Sequence, residues 1–212
     1  MSAARLTRIV PLGRIILAFC LLAALTASAL SPARAAASDP TAFIQGLGDQ
    51  AIKLITDKSL TREARREQFT KLFTASFDVP SIGRFVLGRY WRTATPQQQS
   101  EYLQLFGEYV VSVYSDRFTD YSGEKFKVTG TRKDDDTNNT VSSEIDRPNG
   151  GPPIKIDWRV TNGADGYKIT DVIVENLSMA ITQRSEFSSI IERGGGNVDA
   201  LIALLKQKLG KS

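Results

Sequence analysis

The chain has 212 residues, with 27 Lys or Arg, 23 Asp or Glu and no histidine, and its single cysteine is Cys20. The lack of histidine excludes the usual Ser-His-Asp and Cys-His nucleophiles and the His-based zinc and iron sites. Acid–base catalysis near neutral pH would need carboxylates or lysines with shifted pKa values. The composition therefore argues against an enzyme and a metal protein, and no catalytic residue, metal ligand or cofactor is assigned.

An export signal is predicted over residues 1–37. A basic start is followed by an apolar run over 15–30 and by two Ala-x-Ala motifs, which place cleavage near Ala35–Ala37. A retained membrane anchor is disfavoured, because the apolar run is shorter than the ~20 residues of a membrane span. A lipoprotein signal on Cys20 is also disfavoured, because the preceding Phe19 is too bulky.

Cleavage of this signal changes the charge balance of the chain. The signal contains four arginines and no acid, which leaves 23 basic and 23 acidic residues over 38–212. A neutral protein has no global electrostatic reason to bind nucleic acid. The only cysteine also leaves with the signal, so the mature chain cannot form disulfides and must rely on packing. A bacterial periplasm is the expected compartment.

Three helices are predicted at the start of the mature chain. Asp39 and Pro40 have the residue types of an N-cap and a first helical position. Thr61 begins the second helix, and apolar residues recur at helical spacing in both. Asp78 caps a third, short helix that ends near Gly88.

A longer fourth helix is the clearest predicted element. Thr95 to Gln98 have the pattern of a capping box, with Pro at the first helical position. Apolar residues then recur at helical spacing from Tyr102 to Phe118. This stripe predicts a central core helix, part of which could also line a ligand cavity.

Four strands are predicted, over residues 125–132, 141–146, 154–161 and 167–174. The third strand alternates apolar and polar residues, so one of its faces should be buried and the other exposed to solvent. In the fourth, Ile169 and Asp171 are expected on one face and Val172 and Val174 on the other. Short turns between the strands predict an antiparallel meander.

Two helices close the chain, one over Ser178–Arg193 and one that begins at Asn197. Gly194–Gly196 follows a helix rather than a strand, so it indicates a helix stop and not a phosphate cradle. Asp134–Asp136 lacks the ligand spacing of a calcium loop and is expected in a solvated hairpin turn. The pattern predicts one α+β domain over residues 38–212.

Several stretches, taken in order, resemble the MlaC, or toluene-tolerance, family of periplasmic phospholipid-binding proteins. No single stretch is a catalytic signature, and the specificity lies in their joint order over nearly the whole mature chain. Asn176 stands where many relatives would have Gly, a mild departure because Asn tolerates a left-handed turn. The stretches are Phe77–Val79, Ile82–Arg92, Thr95–Phe106, Tyr167–Met179, Arg184–Phe187, Ile190–Ile191, the following Gly run and Leu201–Leu205.

The resemblance implies a soluble carrier with an NTF2-like or cystatin-like fold, in which a four-stranded meander packs against helices around an apolar cavity. Such a carrier passes phospholipid between an outer-membrane lipoprotein complex and an inner-membrane ABC transporter with an MCE domain, which maintains outer-membrane lipid asymmetry. A related branch occurs in hopanoid-making bacteria, so a hopanoid or another polycyclic lipid is the alternative cargo.

Candidate lipid-lining residues come from the long helix, the sheet and the start of the next helix. Each is apolar or aromatic and could equally belong to an ordinary core. They are Phe106, Tyr109, Val110, Val113, Ile156, Trp158, Val160, Val172, Val174 and Met179.

Two functions of other classes stay open at this point. An enzyme on the same scaffold could act through a carboxylate such as Asp157 or Asp171, although a surface or hydrogen-bonded acid is the simpler interpretation. A ligand-free periplasmic adaptor or chaperone would have a solid core and no cavity.

Overall fold

The structure, a computed structural model, describes residues 39–115, 121–148 and 150–211. The export signal predicted over 1–37 and Phe118 at the predicted end of the long helix lie outside these ranges. The described residues all fall in one compact unit. Within them, no helix has both the length and the apolar character that crossing a membrane requires.

Helices precede and follow the strands along the chain. The first group comprises α1 (Pro40–Thr56), α2 (Arg62–Ser76), α3 (Val79–Leu87), a 3-10 helix (Gly88–Arg92) and α4 (Pro96–Ser115). The strands are β1 (Lys125–Lys133), β2 (Asn138–Asp146), β3 (Ile154–Gly163), β4 (Gly166–Val174) and β5 (Leu177–Ser178). The last group comprises α5 (Met179–Arg193) and α6 (Val198–Lys208).

Side-chain caps determine where the helices begin. The N–H of Thr95 donates to Gln98 Oε1 at 2.9 Å, and the N–H of Gln98 donates to Thr95 Oγ1 at 3.2 Å, which is the predicted capping box. Five other helices begin after a polar residue that accepts a first-turn N–H. These caps are Asp39, Thr61, Asp78, Ser178 and Asn197.

The strands form one antiparallel sheet in the order β1-β2-β3-β4-β5, which confirms the predicted meander and adds a short fifth strand. Glu175 and Asn176 connect β4 to β5 with φ angles of 48° and 67°. Two consecutive left-handed residues are typical of the tight hairpin turn that matches the twist of paired strands. Asn176 therefore occupies the conformation expected for it.

The expected split of β4 between two faces is wrong. Arg159 pairs with Asp171 and Val160 pairs with Ile169, so Thr170 is an extra residue in a β-bulge. A bulge breaks the alternation of side chains by one position. Ile169 and Val172 consequently lie on the same apolar face of the sheet, and Asp171 lies on the opposite one.

Buried apolar residues form two clusters. The helical core contains residues of α3, α4, α5 and α6, among them Tyr102, Phe106 and Phe187. The sheet core consists of Ile44 from α1 with Val141, Val160 and Ile169 from the strands. The two clusters share no buried residue, and the main packing partners of α4 in the described ranges are α2, α3 and α6 rather than a strand.

Candidate functional site

The apolar face of the sheet brings together all five strand residues predicted to line a lipid site. Trp158 pairs with Val172, and Ile156 pairs with Val174. Opposite residues in an antiparallel pair lie on the same face. Val160 is two residues further along β3 and shares this face because side chains alternate with a period of two.

Helix α1 covers one part of this face. Val160 is 1% exposed and packs in the sheet core with Ile44, while the ring of Phe43 lies 6.0 Å from that of Tyr167. The side chain of Val160 is therefore occupied by protein contacts. Of the predicted lining residues on the sheet, it is the one placed in a closed core.

A second part of the face lies outside both cores. Ile156 is buried and Val174 is half-buried, yet neither belongs to the helical core or the sheet core. The neighbouring pair Ile145 and Ile154 shares this property. We call Ile145, Ile154, Ile156 and Val174 the apolar wall.

Ile145 and Ile154 were not among the predicted lining residues, although the sequence carried a signal for both. Ile154 has the same alternation in β3 as Ile156 and Trp158. Ile145 follows Val141 and Ser143 at the same spacing in β2. What the sequence did not show is the register that pairs Ile145 with Ile154 directly.

Trp158 has a fixed orientation at the boundary between the sheet core and the apolar wall. Its indole N–H donates to Ser143 Oγ at 2.8 Å, and Phe126 meets its ring edge-on at a centroid distance of 6.3 Å. Ser143, which is 2% exposed, in turn donates to the carbonyl of Ile156 at 3.3 Å. This buried polar group is therefore satisfied, as an apolar surrounding requires.

The four predicted residues of α4 divide along the helix. Phe106 lies in the helical core, where its ring is 5.8 Å from that of Tyr102 and 6.3 Å from that of Phe187. Its neighbour Tyr102 donates its hydroxyl to the carbonyl of Gly83 at 3.0 Å, and burial raises the pKa of Tyr102. The side chain of Phe106 is thus engaged in aromatic packing.

The other three residues of α4 lie at the margin of this core or outside it. Tyr109 and Val110 are half-buried and pack against the helical core, and burial raises the pKa of Tyr109. Val113 lies one turn further and is 36% exposed. Tyr109, Val110 and Val113 therefore each keep part of their surface exposed.

Met179 is the first residue of α5, and it is half-buried beside a buried carboxylate. Asp171 accepts hydrogen bonds from Ser178 Oγ at 2.6 Å and from the N–H groups of Val172 and Ala180 at 2.9 and 3.1 Å. Both of its oxygens are therefore used to hold the start of α5 against β4. This arrangement accounts for Asp171 as a structural acid and gives it no open side toward a substrate.

The other candidate acid, Asp157, and the acidic β1–β2 turn have structural partners as well. Asp157 accepts from Ser142 Oγ at 2.6 Å on the polar face of the sheet. Asp135 accepts from the N–H groups of Thr137 and Asn138, both at 2.9 Å, in the β1–β2 turn. The described ranges contain no group of His, Cys, Asp and Glu side chains arranged to hold a metal ion.

Proteins of known name that are similar to this chain include a phospholipid transport binding protein and a toluene tolerance protein. The intermembrane phospholipid transport system binding protein MlaC of Haemophilus influenzae is 27% identical over 128 residues, which is 59% of each chain. The chain therefore matches well under two thirds of that relative's length. The toluene tolerance protein ttg2D of Pseudomonas putida is 24% identical over 173 residues, or 79% of this chain and 80% of that one.

A solved structure and a family model extend this likeness. The phospholipid-binding protein from Ralstonia solanacearum, in complex with a phospholipid, superposes with a TM-score of 0.70 at 22% identity. The superposition covers 80% of this chain and 96% of that one, which shows a shared fold. Residues 45–207 match the model of the family described as MlaC protein. Because this match extends over most of the length of the chain, the chain belongs to the MlaC family.

Proposed function

We propose that the protein is a carrier that binds a phospholipid by its acyl chains and moves it between membranes. The observation that carries the proposal is the apolar wall, a set of four aliphatic side chains that belongs to neither core. The family supports the same function, because relatives are a phospholipid transport binding protein and a protein solved with a phospholipid.

The apolar wall has the chemistry that acyl chains require. Each methylene taken out of water contributes roughly 0.8 kcal/mol, so a lipid with two tails cannot cross an aqueous compartment unaided. Ile145, Ile154, Ile156 and Val174 offer hydrocarbon contacts, and Tyr109, Val110, Val113 and Met179 are the proposed contacts from the helices. Ser143 lies opposite Ile156 in the sheet, and its Oγ already has its partners, so it does not oppose apolar binding.

The proposed compartment is the periplasm, reached after cleavage of residues 1–37 near Ala35–Ala37. The proposed partners are an inner-membrane ABC transporter with an MCE domain and an outer-membrane lipoprotein complex. The MlaC family is a family of lipid-binding transport proteins rather than of enzymes. We propose that this chain likewise performs no catalysis, since lipid transfer needs no reacting group.

The direct test is lipid identification on protein purified from the periplasm of its own bacterium. Native mass spectrometry should show a mass increment that matches one phospholipid, and solvent extraction should release that lipid. A hopanoid increment would replace the proposed cargo with the polycyclic alternative. A clean unliganded mass with no extractable lipid would contradict the carrier and favour a ligand-free adaptor.

A pair of variants in one strand locates the lipid on the proposed face. Val174→Asp places a charge on the apolar wall and should abolish lipid retention, because a carboxylate among acyl chains is poorly solvated. Ile173→Asp is the matched control: it is the adjacent half-buried aliphatic residue, and it lies on the opposite face of β4. Equal lipid retention by both folded variants would place the lipid elsewhere.

Val113→Asp tests the helical side of the same site. This residue is 36% exposed, so the substitution should leave the free energy of unfolding almost unchanged. We expect a lower lipid occupancy by native mass spectrometry together with an unchanged urea midpoint. Full occupancy in this variant would remove the end of α4 from the proposed site.

A further inference from the structure

A groove of about 520 Å³ lies on the helical part of the molecule and is separate from the apolar wall. Its sides come from α3, the 3-10 helix and α5. Arginine and aromatic side chains dominate its lining, which contains no acidic residue. They are Arg84, Arg89, Arg92, Arg184, Phe85 and Trp91.

Aromatic rings hold three of the guanidinium groups in place, and Arg89 lies over the ring of Tyr90 at 4.9 Å. The guanidinium carbon of Arg84 lies 5.5 Å from the centre of the Trp91 ring, and that of Arg184 lies 5.2 Å from the centre of the Phe85 ring. Cation–π contacts of this kind orient a guanidinium while leaving its edge free to donate hydrogen bonds. Gly88 contributes too, since its φ of 59° and missing side chain let Arg184 lie against the backbone.

The positive charge of the groove is mostly uncompensated. Arg89 pairs with Glu192 at 2.6 Å. Across the described ranges, Arg84, Arg92 and Arg184 make no ion pair with an acid. Like charges around one groove repel one another, and an anionic ligand would relieve that repulsion. Guanidinium groups match carboxylates well because they donate two parallel hydrogen bonds.

Exposed apolar surface adjoins these charges. Phe85 is 44% exposed and Ile181 is 55% exposed. Ile181 lies three residues before Arg184 in α5, a spacing that places two side chains on one face of a helix. The surface therefore offers both anion-binding and apolar contacts, which is the composition of protein–protein hot spots that contain arginine and aromatic residues.

We propose that this arginine groove is the docking surface for an acidic segment of a partner protein that also carries apolar residues. A protein segment fits this groove better than a membrane surface does. The guanidinium groups lie along ring faces inside a recess, and an extended peptide can enter a recess more readily than a flat membrane can. The inference rests on the proposed carrier function, in which a partner must receive or deliver the lipid.

Binding of a labelled peptide to the full mature chain tests the proposal. The probe is a short peptide of alternating glutamate and leucine, and its binding is measured by fluorescence anisotropy. The control is the same peptide with glutamine in place of every glutamate. The acidic peptide should bind, and its affinity should fall with added salt, because salt screens exposed charges. Equal binding of the glutamine peptide would overturn the proposal.

Charge reversal then assigns the binding to the groove. The triple variant Arg84→Glu, Arg92→Glu and Arg184→Glu should bind the acidic peptide about tenfold more weakly or worse. The matched control is Lys53→Glu, Lys125→Glu and Lys127→Glu, which changes net charge equally at exposed sites elsewhere and should bind within about twofold of the unmodified chain. Equal weakening in both triple variants would overturn the groove as the site.

Two further measurements separate this inference from its alternatives. The double variant Arg84→Lys and Arg184→Lys keeps the charge but loses the flat, two-pronged donor, so it should lose part of the peptide affinity while remaining folded. Vesicles of equal parts phosphatidylglycerol and phosphatidylethanolamine should not bind through the groove, and groove-dependent vesicle binding would replace the protein partner with a membrane.

Lipid occupancy of the same preparations, read by native mass spectrometry, keeps the two proposals distinct. Weakened peptide binding with full lipid occupancy in the triple variant supports the docking surface. Peptide binding by a chain that never carries lipid would retain the docking surface and contradict the carrier.

Discussion

Single residues decide which chemistry the protein can perform, and Asp171 is the clearest case. It is 7% exposed and accepts three hydrogen bonds, two of them from backbone N–H groups. Arg159, whose side chain is exposed, places Nη1 3.9 Å from Asp171 Oδ2. A carboxylate with these partners joins the start of α5 to β4, and this structural role explains a buried acid that the sequence left open as a possible catalyst.

We expect Asp171→Ala to lower the free energy of unfolding by about 1–3 kcal/mol, because it leaves buried N–H donors without acceptors. Asp157→Ala, on the polar face of the same sheet, removes one hydrogen bond to an accessible hydroxyl and should cost less than ~1 kcal/mol. Urea unfolding of both variants measures the difference. Equal shifts of the two midpoints would show that Asp171 does not anchor α5.

At the scale of elements, α1 lies close to the sheet because it lacks a side chain at one position. A Cβ at Gly48 would overlap the ring of Phe126, whereas a Cβ at Gly46 would meet no atom within 4 Å. Gln45, from the same helix, accepts the N–H of Val128 on the edge strand β1 at 3.2 Å. The helix therefore both packs on the sheet and satisfies part of its open edge.

These two glycines give opposite predictions. Gly48→Ala should lower the free energy of unfolding by about 1–3 kcal/mol through overpacking against Phe126. Gly46→Ala should raise it by about 0.5–1 kcal/mol, since alanine is the better helix former and has space there. Thermal and urea unfolding check both. A stabilised Gly48→Ala variant would show that α1 can move away from the sheet at no cost.

The β1–β2 turn makes one contribution to the acid sensitivity of the sheet. Hydrogen bonds from Asn138 and Thr137 lower the pKa of Asp135 from 3.8 to about 2. A carboxyl whose pKa is lower in the folded state stabilises the fold above its unfolded pKa, and this contribution disappears as the pH falls through the folded pKa. The contribution of this turn to stability is therefore lost as the pH falls from about 4 to about 2.

Asp135→Asn should lower the urea midpoint at pH 6, and its difference from the unmodified chain should shrink between pH 4 and pH 2. Asp136→Asn is the control, because that side chain is fully exposed and pairs with Lys133 at 3.0 Å. Urea titrations at several pH values measure both. A difference for Asp135→Asn that stays constant down to pH 2 would mean that the turn does not hold this carboxylate.

At the scale of the whole molecule, the helices and the sheet have separate cores. One core is formed by residues of α3, α4, α5 and α6, and the other is formed by α1 and the strands. The apolar wall belongs to neither, and in the proposed carrier the lipid tails pack against the part of its surface that protein side chains leave exposed. Such a ligand binds the folded state only and must raise its apparent stability.

Removal of bound lipid should therefore lower the melting temperature of the mature chain. A ligand at a hundredfold excess over its Kd contributes about 2.7 kcal/mol, which for a domain of this size corresponds to several degrees. Scanning calorimetry before and after delipidation measures the change. Val174→Asp should show almost no difference between the two states, and a delipidated chain that melts at the original temperature would argue against a buried lipid.

Local sequence chemistry was sufficient for most of the elements and for the starts of the helices, although it missed β5 and the 3-10 helix and placed the start of β2 three residues late. Capping residues such as Thr95 and Asp39, and alternation along β3, predicted where helices and strands begin because these effects act over a few residues. The same alternation predicted that Ile156 and Trp158 share a face. The family resemblance was also carried by ordered stretches of sequence.

Tertiary structure decided what periodicity could not. The bulge at Thr170 moved Val172 and Val174 to the face of Ile169, because one extra residue inverts the alternation beyond it. Packing of α3 against α4 placed Phe106 in the helical core, and α1 closed over Val160. The arginine groove joins residues about one hundred positions apart, so only the folded chain assembles it. Sequence determined the local elements, whereas long-range packing determined which apolar side chains joined the two cores and which did not.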